Sequence, residues 1–355
     1  MPRSTGPLLL AASLLLTACP SSDGGGQAED LRPIRQFELG WNVHAVGGSG
    51  ATVVAQYRDT LGPDARVRVF SADPSHRGEL LVRGTVDLGV SNGVAEELVV
   101  GADRAALAFQ DEGRVSVIAL DGAQPAVLAT MDRSGAYRVA ATGPWLAVTT
   151  AYAMSAVELV DLSGATPATA GTFPIGSPVT CIVPFGGGFT IFTEAGHARL
   201  QADSGGTWHL QHVTDPDVRG YRKVEVLAAD VAWAAGPSPF AGKSRLDRLD
   251  LSASAPARTW TSDHAGNFET FSCDTLGGCL LATQVDGDWG SMWVSALRAE
   301  ASGVRVSAPV KVFGLFRTGA TTMHANAGLA YAAYAPWTAE YHSSLTSQIA
   351  IFELP

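Results

Sequence analysis

The chain has 355 residues, 46% of them apolar and only 16% charged, enough to bury the core of one large all-β domain or two ordinary domains. Its 24 Lys plus Arg stand against 34 Asp plus Glu, for a net charge of −10. That balance excludes a surface built for nucleic acid, whose affinity rests on clustered cations.

The first residues read as an export signal, spanning 1–18. Arg3 supplies positive charge, and the apolar run Leu8 to Leu16 is too short to cross a bilayer as a mature helix. Leu16-Thr17-Ala18-Cys19 follows directly. An ordinary signal with an incidental cysteine is one reading, although free Cys is rare in exported chains. The segment also resembles the lipobox of bacterial lipoproteins: a Leu, two small residues and a Cys. That resemblance implies cleavage before Cys19, acylation of its thiol, and membrane attachment through lipid without a spanning helix. Pro20, standing where an Asp would mark inner-membrane retention, points to the outer membrane. Residues 19–31 are small and polar, and are expected to form a flexible tether. The folded domain is expected over 32–355.

From there on the chain is a series of short apolar runs broken by Gly, Pro, Asp and Ser, an all-β pattern. One strand type ends in an acid and recurs at 67–73, 115–121, 157–161, 198–203, 246–250, 293–300 and 349–353. Its closing acids, Asp73, Asp121, Asp161, Asp203, Asp250, Glu300 and Glu353, lie 40 to 53 residues apart. An Ala-rich apolar strand precedes each of them, as in AALAFQ (105–110) and LAYAAYA (329–335). Two landmarks in register, at this period, predict a seven-bladed β-propeller. Strands covered on both faces should be apolar at nearly every position, and these are. The closing acids read as turn residues, since Asp accepts backbone N–H bonds in tight turns. The seventh copy lacks a fourth strand, while IRQFELG (34–40) is a strand without a blade. It is predicted to pair with 346–352 and close the ring, removing an exposed edge.

Two copies carry resemblances. Val157 to Pro167, VELVDLSGATP, is similar to the LVIVD repeat of bacterial propellers. Asp203-Ser-Gly-Gly-Thr-Trp208 resembles the Asp box of sialidase-type propellers, with Gln201 in place of its Ser. Both motifs imply a hairpin between third and fourth strands. Neither implies an activity.

Cys273 and Cys279 flank a Gly-bearing turn and are expected to form a disulfide in an exported protein. Cys181, within VTCIVPF, is expected to be a buried free thiol. Gly89-Val-Ser91-Asn-Gly93 has the spacing of a nucleophile elbow but lacks the strand-to-helix context that such a turn needs. GPSPFAGKS (236–244) has neither the spacing nor the following helix of a phosphate loop. His209 and His212, three apart on a strand, face opposite sides and make poor joint ligands. Asp215 with Asp217, and Asp286 with Asp288, are loop pairs of a kind that suits calcium, but without a third acid they read as solvated turn carboxylates. No cofactor or metal site is expected.

In a propeller, the loops joining blades and those joining second to third strands share one face. Here they carry Asn92, Arg133, Tyr152, Tyr221, Arg222, Phe240, Lys243, His264, Trp289, Arg317, Trp337, Tyr341 and His342. Aromatics in polar loops mark a binding surface. The same rings could instead fold back onto the barrel mouth. The expectation is a monomeric, lipid-anchored envelope protein that binds a protein or glycan and not nucleic acid. The alternative is a glycan-active hydrolase or lyase with paired carboxylates in the central mouth.

Overall fold

The computed structural model describes residues 33–354 except 40, 59–63, 77, 92, 151–153, 165, 215–216, 229–230, 253–255, 285–290, 301–302, 307–309, 314–322 and 335–347. Among the described residues the strands form seven antiparallel sheets, and the one helical piece is the 3-10 turn Pro74–His76. Six sheets are sequential: 41–91, 97–132, 136–174, 179–214, 223–265 and 267–313. The seventh combines 323–353 with Arg35–Glu38. The innermost strands form a closed ring, each packing on that of the next blade and the last on the first. The fold is a seven-bladed β-propeller, as the repeat predicts.

Ring closure follows the predicted pairing. Arg35 pairs with Ile351, and Glu38 with Gln348. The Ile34 N–H adds a 2.7 Å bond to the Ile351 carbonyl. The first strand thus serves as the fourth strand of blade 7. In blade 6 the outer edge is broken into two pieces, Gly303–Val306 and Val310–Phe313, both paired with Ser291–Glu300.

The core consists of seven slabs, one at each blade interface. In the second strand of blade 2, Ala105, Leu107 and Phe109 face blade 1, whereas Ala106 and Ala108 face blade 3. Both alternations are therefore buried, which is why these strands lack the polar positions of a half-exposed sheet. Close approach of blades requires small residues. A Cβ on Gly48 would lie 2.2 Å from Cδ2 of His324, across the blade 7–blade 1 seam. Large side chains fill the wider outer space, where the Trp145 and Trp208 rings meet edge to face at 5.1 Å between blades 3 and 4.

The acids cap turns at four of the repeats. Asp73, Asp161, Asp203 and Asp250 each accept a backbone N–H two residues on, at 2.8 to 2.9 Å. Asp203 also accepts Thr207 N–H at 2.9 Å and lies 2.9 Å from His209 Nε2, so the Asp-box-like segment is a self-capped hairpin. Cys273 and Cys279 are cross-strand partners in blade 6 and are bonded. Cys181 is free and buried.

Candidate functional site

Two places can carry function, the axial channel and the face bearing the blade-connecting loops. A cavity of about 360 Å³ lies on the axis, walled by inner strands. Most of its lining is apolar or Gly, and five residues bring chemistry: Glu97, Cys181, Lys223, Glu225 and His324. They come from blades 2, 4, 5 and 7.

Each of the four charged or imidazole side chains is held by the next blade. Glu97 of blade 2 meets Arg138 Nη1 of blade 3 at 3.2 Å. Arg138 in turn lies over the Tyr137 ring, 4.0 Å from its centroid. Both partners are buried, and burial pushes the Glu97 carboxyl up to about 7 against the pull of Arg138 and Lys223. Lys223 Nζ donates to the Phe271 carbonyl of blade 6. Burial lowers its pKa, while Glu225, Cys181 and Glu97 oppose that. Glu225 accepts from Ser272 Oγ at 2.7 Å and from Cys273 N–H at 2.8 Å. His324 Nε2 lies 2.9 Å from the Gly50 carbonyl of blade 1. A carbonyl only accepts, so Nε2 carries the proton, and burial keeps the ring neutral by lowering its pKa. Burial also raises the Cys181 thiol to about 12, an unreactive state. The channel polar groups thus act as staples between consecutive blades.

The loop face is described in part. Tyr152, Trp289, Arg317, Trp337, Tyr341 and His342 lie outside the described residues, as do Asn92, Asp215, Asp286 and Asp288. Tyr221 requires a correction, because it is fully buried and its hydroxyl donates to Asp247 Oδ2 at 2.6 Å. The loop following blade 4 folds inward at this ring, which meets Phe192 edge to face at 5.7 Å. Asp247 is itself buried and ion-paired with Arg245 at 2.8 Å, so a ring bearing a donor fits there better than at the surface. Arg133 clamps Glu158 with two 2.8 Å bonds. His264 is half-buried, and its pKa is lowered by burial. Arg222 is exposed, and its N–H bonds to the Ala235 carbonyl at 2.8 Å. Phe240 is 60% exposed at the tip of the hairpin between the second and third strands of blade 5. Lys243 Nζ lies 5.8 Å from its ring centroid. That pair is an aromatic plate with a cation at its side. The hairpin is the segment with phosphate-loop-like composition, and it is strand-flanked.

Among the described residues no cluster of three or more His, Cys, Asp or Glu could hold a metal ion. Asp217, the described member of its pair, is exposed and lies 3.6 Å from Arg258 Nη2. Ser91 ends the outer strand of blade 1, and the next element is the inner strand of blade 2.

No family model and no curated protein sequence matches the chain. Solved structures do. A chain of a mitotic checkpoint complex aligns with a TM-score of 0.56 at 11% identity, over 98% of this chain and 99% of that one. A putative 6-phosphogluconolactonase from Bacteroides uniformis gives 0.54 at 13% identity, covering 78% and 86%. A protein from Lactobacillus plantarum gives 0.52 at 13%, covering 80% and 88%. The likeness is one of fold. Identities this low carry the propeller and nothing of its chemistry.

Of the channel groups only Cys181 stands out in the sequence; Glu97, Lys223, Glu225 and His324 were missed because each lies in a short strand with no motif around it, as in EELVV or MHAN. A usable signal existed: a charged residue on a strand covered on both faces must be paired.

Proposed function

We propose that this propeller is a non-catalytic binding module of the bacterial envelope, lipid-anchored at Cys19 in the outer membrane, which holds a protein or glycan on its loop face. One observation carries the reading: the exposed Phe240 plate with Lys243 beside it, on the same face of the propeller as the exposed Arg222. An apolar ring face stacks on sugar rings or apolar side chains, and the adjacent cation favours an acidic ligand. The LVIVD-like and Asp-box-like segments fit a structural role, since Asp161 and Asp203 are used up in turns.

The alternative is a glycan-active hydrolase or lyase working in the mouth. It needs two carboxylates facing one bond. Glu97 and Glu225 stand on the inner strands of different blades, and each is already held by a neighbouring blade. That supports binding over catalysis. The test is a glycan array together with sedimentation on purified peptidoglycan, comparing the native protein with Phe240→Ala/Lys243→Ala. Loss of retention in the variant supports the reading. Equal retention, or turnover of any retained glycan, overturns it.

A further inference from the structure

The propeller rim is not uniform. Of its outer strands, those of blades 1, 2, 3 and 5 carry a bulge at the same register, marked by the pairs Phe70–Val82, Ile118–Val127, Val160–Thr169 and Leu249–Arg258. At this position blades 3 and 5 present Thr169 and Arg258, whereas blades 1 and 2 present Val82 and Val127. Their neighbours Leu81 and Leu128 add to the difference. Leu81, Val82, Val127 and Leu128 are 55%, 60%, 41% and 46% exposed. The two strands adjoin, because Arg83 Nη2 donates to the Leu120 and Gly122 carbonyls at 2.6 and 2.9 Å, bridging blade 1 to the turn that opens the outer strand of blade 2. Leaving such a patch in water is costly, and it asks for an occupant.

The chain itself indicates which. All four residues lie at the ends of their strands nearest the hairpins that join third and fourth strands, opposite the face carrying Phe240 and Arg222. The described chain enters at the same end, where Ile34, 37% exposed, pairs with Ile351 of blade 7. Blade 1 abuts that pair, since a Cβ on Gly78 would lie 3.3 Å from Ile351 Cγ2. Between Ile34 and Cys19 stand 14 residues rich in Gly, Ser and acids. Fourteen residues reach at most about 50 Å when fully extended. A lipid on Cys19 therefore holds this sector of the rim within reach of the headgroups.

We propose that the apolar rim of blades 7, 1 and 2 rests on the lipid surface, with the loop face turned away from the bilayer. This rests on the acylation of Cys19 proposed above. The anchor confines the domain, and the side chains of Leu81, Val82, Val127 and Leu128 enter the interfacial zone, as an amphipathic surface does. A second copy or a protein ligand covering the patch is the competing occupant.

The experiment uses the acylated chain in vesicles of phosphatidylethanolamine and phosphatidylglycerol, with nitroxide-bearing lipid as quencher. An environment-sensitive dye is placed on Leu128→Cys, on Ile34→Cys, or on Ala241→Cys of the opposite face. The expected result is that dyes at 128 and 34 lose most of their emission and the dye at 241 keeps it. With Leu81→Ser, Val82→Ser, Val127→Ser and Leu128→Ser combined, the dye at 34 should recover to the level of 241, while thermal unfolding is unchanged because these side chains are exposed. Acylated protein, confirmed by mass, with equal emission at all three positions overturns the proposal alone. So does rim-to-rim crosslinking between copies without quenching. A chain whose mass shows an unmodified Cys19 overturns both the anchor and the proposal.

Discussion

Replacing Glu97 with Gln should stabilise the protein at pH 8 and leave it unchanged near pH 4. The carboxyl sits on the inner strand of blade 2, 8% exposed, with Arg138 of blade 3 at 3.2 Å. Its pKa rises from the ordinary 4.5 to about 7 because burial outweighs Arg138 and Lys223. A raised folded-state value means that the folded chain holds a proton the unfolded chain has released. Stability from this group is complete below about 4.5 and is lost as pH rises through about 7. At about 1.4 kcal/mol per decade, the loss amounts to about 3 kcal/mol by pH 8. Gln mimics the protonated acid, and its amide oxygen can still accept from Arg138. Urea unfolding at pH 4, 6 and 8 should show native and variant curves coinciding at the acid end and separating by about 3 kcal/mol at the basic end. The difference between the two chains cancels titrating groups that do not interact with Glu97, whereas Lys223 and Cys181 couple to it and belong to the measured difference. If the variant is the weaker chain at pH 8, the ion pair is worth more than its desolvation and the reasoning fails.

Deleting residues 32–40 removes the strand that closes blade 7, and should turn one cooperative thermal transition into a broad one; an unchanged transition would refute closure as a source of cooperativity. Gly48→Ala forces a methyl into the His324 ring and should cost about 1–3 kcal/mol in denaturant unfolding. Tyr221→Phe takes a donor from the buried Asp247 and should cost about 1–3 kcal/mol by the same assay, with no effect on ligand retention, since the ring is not at the surface. Converting both Cys273 and Cys279 to Ser opens a short loop and should cost about 2 kcal/mol. Cys181 should stay unreactive toward a thiol reagent until the protein is denatured.

The fold was legible because propeller blades repeat their physics. ALAF in blade 2 is apolar throughout since neighbouring blades cover both its faces. Asp161 recurs because a hairpin needs an acceptor at that point. Even the missing strand of blade 7 could be predicted, as 34–40 was a strand without a partner. The candidate sites were less readable. Tyr221 and Phe240 both sit in or beside loops of one face, yet one is buried and the other 60% exposed. What separates them is Asp247, a buried acceptor 26 residues further along that captures the Tyr221 hydroxyl. Phe240 has no such handle and must remain out. Loop composition cannot encode a partner that distant. The Glu97–Arg138 pair was unreadable for the same reason, since it joins two strands 41 residues apart.

Those long-range polar contacts fall into a pattern that bears on function. Gln56 of blade 1 donates to the Gly93 carbonyl beside blade 2, Glu97 meets Arg138 between blades 2 and 3, and Arg199 of blade 4 donates to the Leu251 carbonyl of blade 5. Glu225 joins blades 5 and 6, Ser272 accepts Ala325 N–H between 6 and 7, and His324 reaches Gly50 from 7 to 1. Between blades 3 and 4 the Val179 N–H donates to the Met154 carbonyl at 2.7 Å, and the Trp145–Trp208 pair adds an aromatic contact. An apolar slab fixes how close two blades come but is nearly indifferent to sliding. Directional bonds at these junctions set the angle and height of each blade. Glu97 and Glu225 are committed to neighbouring blades, so their buried chemistry is spent on registering the ring. The exposed Phe240, with Lys243 beside it, stands outside that network, which is why the proposed binding reading rests on it.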